Sequence, residues 1–302
     1  MRVVVSGSSG LVGGALLGAL RARGDTVVPL VRRPPGPGEL RWDPRSGTID
    51  GAGLSGADAV VHLAGAGLGD KRWSPARRRA IVASRVDSTT LLASTLAHMT
   101  VPPAVLVSAS AVGFYGDRGD EELTEQSGPG TGFLAELCER WEAATVPAAQ
   151  RGVRVVRLRS GVVLSASGGA LARQLPLFRL GLGGRLGPGS QWLSWISLDD
   201  EVGVILHALD HATLAGPVNA TAPHPVTNGA FTRALGRALR RPAVLAVPAV
   251  ALRVALGTEL AQEMILAGQR VLPVAVTSAG YGFRHARVDD ALAAALAPPG
   301  PG

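Results

Sequence analysis

Three glycines at intervals of three residues follow a short apolar run at the start of the chain. Residues 2–6 read Arg-Val-Val-Val-Ser, and Gly7, Gly10 and Gly13 precede the mostly apolar stretch 14–23. A strand, a glycine turn and a helix in this order suit a dinucleotide, because glycine permits the tight turn and lets backbone approach a pyrophosphate. The amides that open the helix then face the phosphates. The sequence therefore predicts the first βαβ unit of a dinucleotide-binding fold.

A secretory signal peptide is the alternative interpretation of this segment, which carries one arginine, an apolar run and small residues. Such a leader has no need of glycine and serine at these intervals, and no plausible cleavage site follows. We therefore expect the first residues to belong to the folded protein.

Composition limits the class of protein. The chain has 302 residues, of which 46% are apolar and 18% charged, and this excludes a disordered protein. Its single cysteine, Cys138, excludes an internal disulfide and a cysteine metal cluster, and we predict no metal site. The best candidate for a membrane span, 244–256, carries Pro248 and Arg253 and is too short. The sequence predicts a soluble, cytoplasmic protein with no membrane partner.

The formal net charge of +7 raises the question of nucleic-acid binding. The arginines are spread along the chain, with local groups only at 32–33 and 77–79. Aromatic residues are not interleaved with them as they are on a base-stacking surface. Lysine occurs once, at Lys71, so the arginine content indicates coding bias. We expect a small-molecule substrate and no nucleic-acid partner.

Two arginines, Arg32 and Arg33, stand at the end of the second predicted strand, 25–33. Proteins that bind NAD usually place an acidic residue here, where it accepts hydrogen bonds from the ribose hydroxyls. Guanidinium groups would instead pair with the 2′-phosphate of NADP. A solvated basic loop is the alternative, but this end of the strand favours NADP.

Strand-like and helix-like segments alternate through the first half of the chain. Buried strands are predicted at 57–65, at 104–116 with its loop and at 153–164, helices at about 74–99 and 132–150, and short hairpin strands at 41–43 and 48–50. The alternation predicts an α/β fold with a Rossmann doubly wound parallel sheet in residues 1–165. Residues 166–302 would form a smaller C-terminal α/β substrate domain, from which some segments could return to the sheet.

Four motifs occur in an order that is typical of one superfamily. They are the glycine turn, His-Leu-Ala-Gly at 62–65, Ser-Ala-Ser followed by Phe-Tyr-Gly at 108–116, and Trp-Ile-Ser-Leu-Asp-Asp at 195–200. Together they resemble the extended short-chain dehydrogenase/reductase superfamily. Segments 108–120, 178–184 and 268–273 look like one branch, the atypical epimerase family proteins. The resemblance covers nearly the whole chain and implies a Rossmann fold, NADP(H) binding and a C-terminal substrate domain.

The resemblance implies roles for individual residues. The positions implied for cofactor binding are Gly7, Ser8, Ser9, Gly10, Leu11 and Val12 at the pyrophosphate, Arg32 and Arg33 at the 2′-phosphate, and Leu63, Ala64 and Gly65 at the adenosine, with Arg85 as a weaker candidate. The superfamily's catalytic serine corresponds to Ser110. Its nearby tyrosine motif corresponds to Phe114 or Tyr115, of which we take Tyr115. We expect Ser110, Tyr115, Trp195 and Gln269–Arg270 to line a cleft between the sheet and the C-terminal domain.

The chain departs from the superfamily at the catalytic Tyr-x-x-x-Lys pair. On the following helix, Leu134 and Cys138 stand where the tyrosine and the lysine would be, and the only lysine is Lys71. In the superfamily the lysine holds the ribose and lowers the pKa of the tyrosine. A tyrosine without it keeps a pKa of about 10 and is a poor base for oxidising an alcohol at pH 7. Reduction remains open, because it needs a neutral hydroxyl that donates a proton.

Three functions follow from these observations. We favour an NADP(H)-dependent oxidoreductase that reduces a small activated carbonyl. The main alternative is an NADP(H)-binding sensor or partner protein without turnover, since the same cofactor site would serve both. A nucleotide-sugar epimerase is the third, and the missing catalytic pair disfavours it. The sequence fixes neither the substrate nor the oligomeric state.

Overall fold

Strands and helices alternate along residues 1–297, which are the residues that the computed structural model describes. The strands are β1 (Arg2–Ser6), β2 (Thr26–Val31), β3 (Leu40–Asp43), β4 (Thr48–Ile49), β5 (Ala59–His62), β6 (Val105–Ala111), β7 (Glu122–Leu123), β8 (Arg154–Ser160), β9 (Val162–Leu164), β10 (Gly184–Leu186), β11 (Trp192–Leu193), β12 (Trp195–Ser197), β13 (Gly216–Ala220), β14 (Val226–Thr227), β15 (Leu245–Val247) and β16 (Arg270–Val271).

Besides its α-helices, the described part of the chain contains a 3₁₀ turn at Val112–Tyr115 and a π-helical turn at Gln262–Leu266. The α-helices are α1 (Leu11–Ala22), α2 (Gly51–Leu54), α3 (Pro75–His98), α4 (Phe133–Ala143), α5 (Val146–Gln150), α6 (Gly169–Arg179), α7 (Leu198–Asp210), α8 (Asn228–Leu239), α9 (Ala249–Leu256), α10 (Thr258–Ala261), α11 (Val274–Ser278) and α12 (Val288–Leu296). Within residues 1–297, no helix combines the length and apolar character that a membrane crossing requires.

Eight strands form one sheet in the order β13-β8-β6-β5-β1-β2-β3-β4. Neighbouring strands are parallel except β3 and β4, which are antiparallel. The order reverses at β1, which lies between β2 and β5, and ligands of such sheets bind at this reversal. The predicted α/β fold with a doubly wound parallel sheet is therefore confirmed. One strand from the predicted C-terminal domain, β13, completes an edge of this sheet.

Alternating side chains along the central strands hold helices on both faces of the sheet. Val3 and Val5 of β1 pack into an apolar cluster with residues of α1 and α7. Val4 points the other way, into a cluster with residues of α3 and α5. Since the helices cover both faces, the carboxyl ends of the strands form the edge at which polar side chains collect.

The second half of the chain forms a further apolar cluster beside the sheet. Residues of α6, α8 and α12 pack around Trp195, which is fully buried. Short strand pairs join these parts: β9 with β12, β10 with β15, and β11 with β14. The strand β16 pairs with β7. Leu272, next to β16, accepts a hydrogen bond at 3.0 Å from the side chain of Asn219, near the carboxyl end of β13.

Two predicted elements are each divided in the structure. The strand predicted at 153–164 breaks at Gly161 into β8 and β9. Glycine is required at the break, since a Cβ on Gly161 would lie 2.5 Å from the carbonyl oxygen of Ser194. The helix predicted at 132–150 is divided into α4 and α5. The long helix predicted at about 74–99 is α3, and Ser74 caps its start by accepting a hydrogen bond from the backbone N–H of Arg77.

Candidate functional site

The glycine turn between β1 and α1 admits no side chain at two of its positions. Gly7 has a φ of +71°, and a Cβ on it would lie 2.6 Å from the carbonyl carbon of Leu63. A Cβ on Gly13 would lie 2.2 Å from the carbonyl oxygen of Gly7. The backbone N–H of Gly10 donates to that same oxygen at 3.0 Å and closes the turn. These contacts require glycine and press the turn against the end of β5.

Helix α1 begins without a side-chain cap. Gly10 is its N-cap residue, and no side chain accepts from the first backbone amides, which belong to Leu11, Val12 and Gly13. Gly10 and Ser9 before it are exposed. Free amides and the positive end of the helix dipole form a site for an anion. The residues at this turn therefore fit the diphosphate of a dinucleotide.

The two arginines after β2 differ in their partners. Arg33 donates to both carboxylate oxygens of Glu39, at 2.6 and 2.7 Å, and these hydrogen bonds lower the pKa of the Glu39 carboxyl. Arg32 is exposed, and it forms no ion pair or side-chain hydrogen bond with any residue of 1–297. Since Ser6 of β1 pairs with Leu30 of β2, Arg32 lies near the glycine turn. Of the two predicted residues, Arg32 is the one free to bind a phosphate.

The end of β5, which carries the His-Leu-Ala-Gly motif, meets the glycine turn. Leu63 and Ala64 are half-buried, and Gly65 is exposed. A Cβ on Gly65 would lie 3.2 Å from the guanidinium carbon of Arg85, which comes from α3. The structure thus brings Gly7, Leu63, Ala64, Gly65 and Arg85 together at one edge.

His62 is fully buried at the end of β5 and links two strands to two helices. Its Nδ1 lies 2.6 Å from the Ser6 hydroxyl, and its Nε2 lies 3.0 Å from the hydroxyl of Thr89, which also accepts from the indole N–H of Trp141. Burial lowers the pKa of His62 to about 4, so the ring is neutral at pH 7. His62 therefore supports the site rather than binding a ligand directly.

Ser110 and Tyr115 do not occupy the positions that we expected of catalytic residues. The Ser110 hydroxyl is buried and donates to Glu142 at 2.8 Å. Tyr115 is fully buried: its hydroxyl donates to Asn219 at 2.7 Å and accepts from Arg159 at 3.0 Å. Burial raises the pKa of the Tyr115 hydroxyl, so it is a weaker acid than usual. Both side chains belong to a hydrogen-bonded cluster in the core rather than to an open cleft, and their expected catalytic role stays a prediction.

An ion pair forms the centre of this cluster. Arg159 of β8 donates to Glu142 of α4 through Nε at 2.7 Å and Nη2 at 2.9 Å. Its guanidinium also stacks 3.5 Å from the centre of the Phe114 ring. This pair was not among the residues predicted from the sequence. A signal was present, since an arginine inside a run of buried apolar residues needs an internal acidic partner.

A cavity of 230 Å³ lies between the 3₁₀ turn, the start of α4 and the π-helical turn. It is lined by Gly113, Gly116, Asp117, Thr131, Gly132, Leu134, Ala135, Gln262, Glu263, Ala267 and Gln269. The Glu263 carboxylate accepts from the backbone N–H groups of Phe133 and Leu134, at 2.9 and 2.7 Å, and so caps α4. Gln269 lies at this cavity as expected.

Two other residues expected at the cleft lie elsewhere. Trp195 is fully buried, and its indole N–H donates to the carbonyl of His224 at 3.1 Å. Arg270 pairs with Glu122 at 2.9 Å and stacks on Trp192. The expectation for Trp195 was wrong because this ring fills the core between α6, α8 and α12.

The positions of the missing catalytic pair lie beside the cavity. Leu134 lines it, and Cys138 is buried one helical turn further along α4. Burial raises the pKa of the Cys138 thiol to about 12, so it carries no charge at pH 7. Neither side chain can act as a phenolic acid or as a cation. The cavity lining contains no tyrosine, lysine or arginine.

A doubly wound sheet with a glycine cradle at its strand reversal defines a dinucleotide-binding Rossmann protein. Residues 3–220 match the NAD dependent epimerase/dehydratase family, and 247–295 match a domain of unknown function, DUF1731. An epimerase family protein of Mycobacterium bovis is 49% identical over 299 residues, which cover 99% of this chain and 98% of that protein. The chain therefore belongs to the epimerase/dehydratase family, an NAD(P)-binding branch of the extended short-chain dehydrogenases/reductases.

Two solved structures have the same fold. The human epimerase family protein SDR39U1, crystallised with NADPH, is 35% identical with a TM-score of 0.91, and the match covers 97% of this chain and 98% of that one. A nucleoside-diphosphate sugar epimerase of Corynebacterium glutamicum is 41% identical with a TM-score of 0.80. The match to it covers 98% of this chain and 58% of that one.

Proposed function

We propose that the protein binds NADP(H) and reduces a small activated carbonyl compound. The observation that carries this proposal is the cofactor cradle, in which Gly7 and Gly13 leave no room for a Cβ and Arg32 is free at the end of β2. The structure of the human relative with NADPH supports the choice of cofactor. Arg32 would pair with the 2′-phosphate, and the first amides of α1 would bind the diphosphate.

The groups near the cavity support a reducing direction for the reaction. NADPH would supply a hydride to the carbonyl carbon, and solvent water would supply the proton to its oxygen, because the hydroxyls of Ser110 and Tyr115 donate within the core. Oxidation of an alcohol instead needs a base, and general-base catalysis contributes a factor of about 10²–10⁴. Leu134 and Cys138 offer no such base, and Tyr115 is bound to Asn219 and Arg159 in the core. An activated carbonyl accepts a hydride with little acid assistance, so the lack of an acid–base residue weighs more against oxidising an alcohol than against reducing such a carbonyl.

The cavity also favours a small substrate. Its volume is 230 Å³, and its charged lining residues are two carboxylates, Asp117 and Glu263. A nucleotide-sugar carries a diphosphate, which acidic side chains repel. A compact carbonyl compound without a diphosphate fits this lining better.

A sensor without turnover is the second candidate, and the burial of Ser110 and Tyr115 favours it. One experiment separates the two functions. The purified protein is mixed with NADPH and a panel of aldehydes, diketones and quinones, and NADPH oxidation is followed at 340 nm. We expect oxidation with at least one activated carbonyl and none with UDP-sugars. NADPH binding without oxidation across the panel would favour the sensor, and conversion of UDP-sugars would refute the reductase proposal.

A further inference from the structure

Large aliphatic side chains are exposed together on the part of the molecule that α6, α9 and the strand pair β10–β15 form. Leu180 is 73% exposed, Val244 is 83% exposed, and Val250 and Val254 are 67% and 70% exposed. Single exposed apolar residues are normal on a protein, whereas a group of them marks an interaction surface. We call this surface the basic apolar face and define it by Leu177, Leu180, Leu182, Val244, Leu245, Val250 and Val254, together with the exposed Arg179, Arg185, Arg240, Arg241 and Arg253.

The two stretches of chain that carry this face, 177–186 and 240–254, lie side by side. Strand β10 of the first stretch pairs with β15 of the second. A Cβ on Gly181 would lie 3.5 Å from the side chain of Pro242, so the loops before these strands are also in contact. The leucines of the first stretch therefore adjoin the apolar residues of the second.

Helix α9 extends the face beyond the strand pair. It follows β15 directly, and its Leu252 is buried in an apolar cluster with residues of β10 and β15. Val250 and Val254 lie one turn apart on α9 and remain exposed. The buried side of the helix is thus attached to the strand pair, and its exposed side adds two valines to the face.

The charge on this face is entirely positive. No Asp or Glu occurs at 143–198 or 211–257, which include both stretches. One turn before Leu177, Arg173 pairs with Asp70, but none of the five arginines of the face pairs with a carboxylate of residues 1–297. The side-chain hydrogen bonds that two of them form go to neutral oxygens. The face therefore complements an anionic partner.

The charge argues against a second copy of the chain as that partner. In a symmetric dimer the face would meet itself, and arginines would lie against arginines with no carboxylate between them. A protein of another kind would need a pocket for each protruding side chain, because protein interfaces are closely packed. A lipid surface is fluid and accepts protruding aliphatic side chains, and its anionic headgroups attract nearby arginines.

We propose that the basic apolar face binds peripherally to a membrane that contains anionic phospholipids. Its leucines and valines insert among the headgroups, and its arginines pair with the lipid phosphates. This binding needs no helix that crosses the membrane, and it replaces the expectation of no membrane partner, which depended on the lack of such a span. The proposal goes beyond the proposed function and does not depend on the cofactor site.

Vesicles of defined composition test this proposal. Cosedimentation of the full chain is measured with vesicles of phosphatidylcholine alone and of phosphatidylcholine with phosphatidylglycerol, at low and high NaCl concentration. We expect binding to the anionic vesicles that is at least about tenfold tighter than to the neutral ones and that weakens with salt. Arg179→Gln/Arg241→Gln should weaken it about 25-fold, at about fivefold for each arginine. Leu180→Ser/Val244→Ser should weaken it at least about tenfold without any change in charge.

Two double variants outside the face are the matched controls. Arg41→Gln/Arg151→Gln removes the same charge from exposed positions, and Val101→Ser/Val146→Ser removes exposed valines. Each should change vesicle binding by less than about twofold, since these residues lie away from the lipid. Thermal unfolding monitored by circular dichroism shows that all four double variants are folded.

An absence of binding to the anionic vesicles would overturn the proposal. Equal losses in Arg179→Gln/Arg241→Gln and Arg41→Gln/Arg151→Gln would overturn it too, by showing a general attraction of a basic protein. Sedimentation velocity without vesicles provides a further test. A dimer that Leu180→Ser/Val244→Ser abolishes would assign the face to a second copy of the chain instead of a membrane.

Discussion

The Arg159 guanidinium and the Glu142 carboxylate form a two-point ion pair in which both side chains are 5% exposed. Arg159 pairs in register with Ser110 on one neighbouring strand and with Asn219 on the other. The hydroxyls of Ser110 and Tyr115 bond to members of this pair or to Asn219. The cluster thus joins the carboxyl ends of β6, β8 and β13 to α4. The polar residues near the expected active site therefore stabilise the packing of these strands against the helix.

Removing one partner of this ion pair should be strongly destabilising. Glu142→Gln leaves the Arg159 cation buried without a full counter-charge, and breaking such pairs typically costs about 3–5 kcal/mol. Glu139→Gln, an exposed position on the same helix, is the control and should change stability by less than about 0.5 kcal/mol. Urea denaturation monitored by circular dichroism measures both. Similar stabilities for the two variants would contradict a structural role for the pair.

Tyr115→Phe separates a structural from a catalytic role for this residue. The variant loses the hydrogen bonds to Asn219 and Arg159 and leaves their buried polar atoms without a partner, which should cost about 1–3 kcal/mol of stability. The affinity for NADPH, measured by calorimetry, should be unchanged. If instead the variant kept its stability and lost carbonyl reduction, the original assignment of Tyr115 to catalysis would be restored.

The glycine spacing of the sequence predicts the cradle well, because Gly7 and Gly13 are required by contacts within a single βαβ unit. The alternation of apolar runs and helices predicts the parallel sheet equally well. The hydrogen bonding of the Tyr115 hydroxyl, by contrast, depends on Asn219, which is 104 residues away, and on the strand order that brings the two residues together. Arg32 likewise has no ion-pair partner in residues 1–297 because the nearby carboxylate of Glu39 binds Arg33 instead. Motif position therefore predicts which edge a residue reaches, whereas burial is decided by distant parts of the chain.

Two glycines of α1, Gly13 in the cradle and Gly18 outside it, allow the role of the cradle to be tested with a matched control. Gly13→Ala would place a methyl group 2.2 Å from the Gly7 oxygen, whereas Gly18→Ala, in the same helix, meets no atom within 4 Å. We expect Gly18→Ala to stabilise the protein by about 0.5–1 kcal/mol, because alanine favours a helix. Gly13→Ala should destabilise it and abolish NADPH binding. Thermal unfolding with and without NADPH measures both effects, and NADPH protection of Gly13→Ala would argue against the proposed cradle.

The two arginines after β2 should contribute unequally to cofactor choice. Arg32→Ala removes a guanidinium that is free to pair with the 2′-phosphate, which should weaken NADPH binding by about 1.5–3 kcal/mol, roughly 10- to 100-fold. Binding of NADH, which has no 2′-phosphate, should stay the same. Arg33→Ala should have a smaller effect because Arg33 is already paired with Glu39. Equal wild-type affinity for NADPH and NADH would contradict the assignment.

The carboxyl group of Glu201 should make stability depend on pH. It is buried on α7, where Oε1 accepts from the Ser160 hydroxyl at 2.6 Å and Oε2 has no hydrogen-bond partner in residues 1–297. Burial raises the pKa of Glu201 from 4.5 to about 7. Between these values the folded protein binds more protons than the unfolded chain. The stability that the protonated form provides is thus fully present below pH 4.5 and is lost as the pH rises through 7.

Glu201→Gln isolates this contribution, because glutamine keeps the shape of the side chain and cannot ionise. Its free energy of unfolding relative to wild type should rise by about 3 kcal/mol between pH 4.5 and pH 8, since burial penalises only the charged form. The opposite titration of buried His62 occurs in both proteins and cancels in this difference. Urea denaturation across this pH range measures it, with Glu139→Gln as the exposed control. A difference that is independent of pH would show that Glu201 ionises in the folded protein as readily as it does in water.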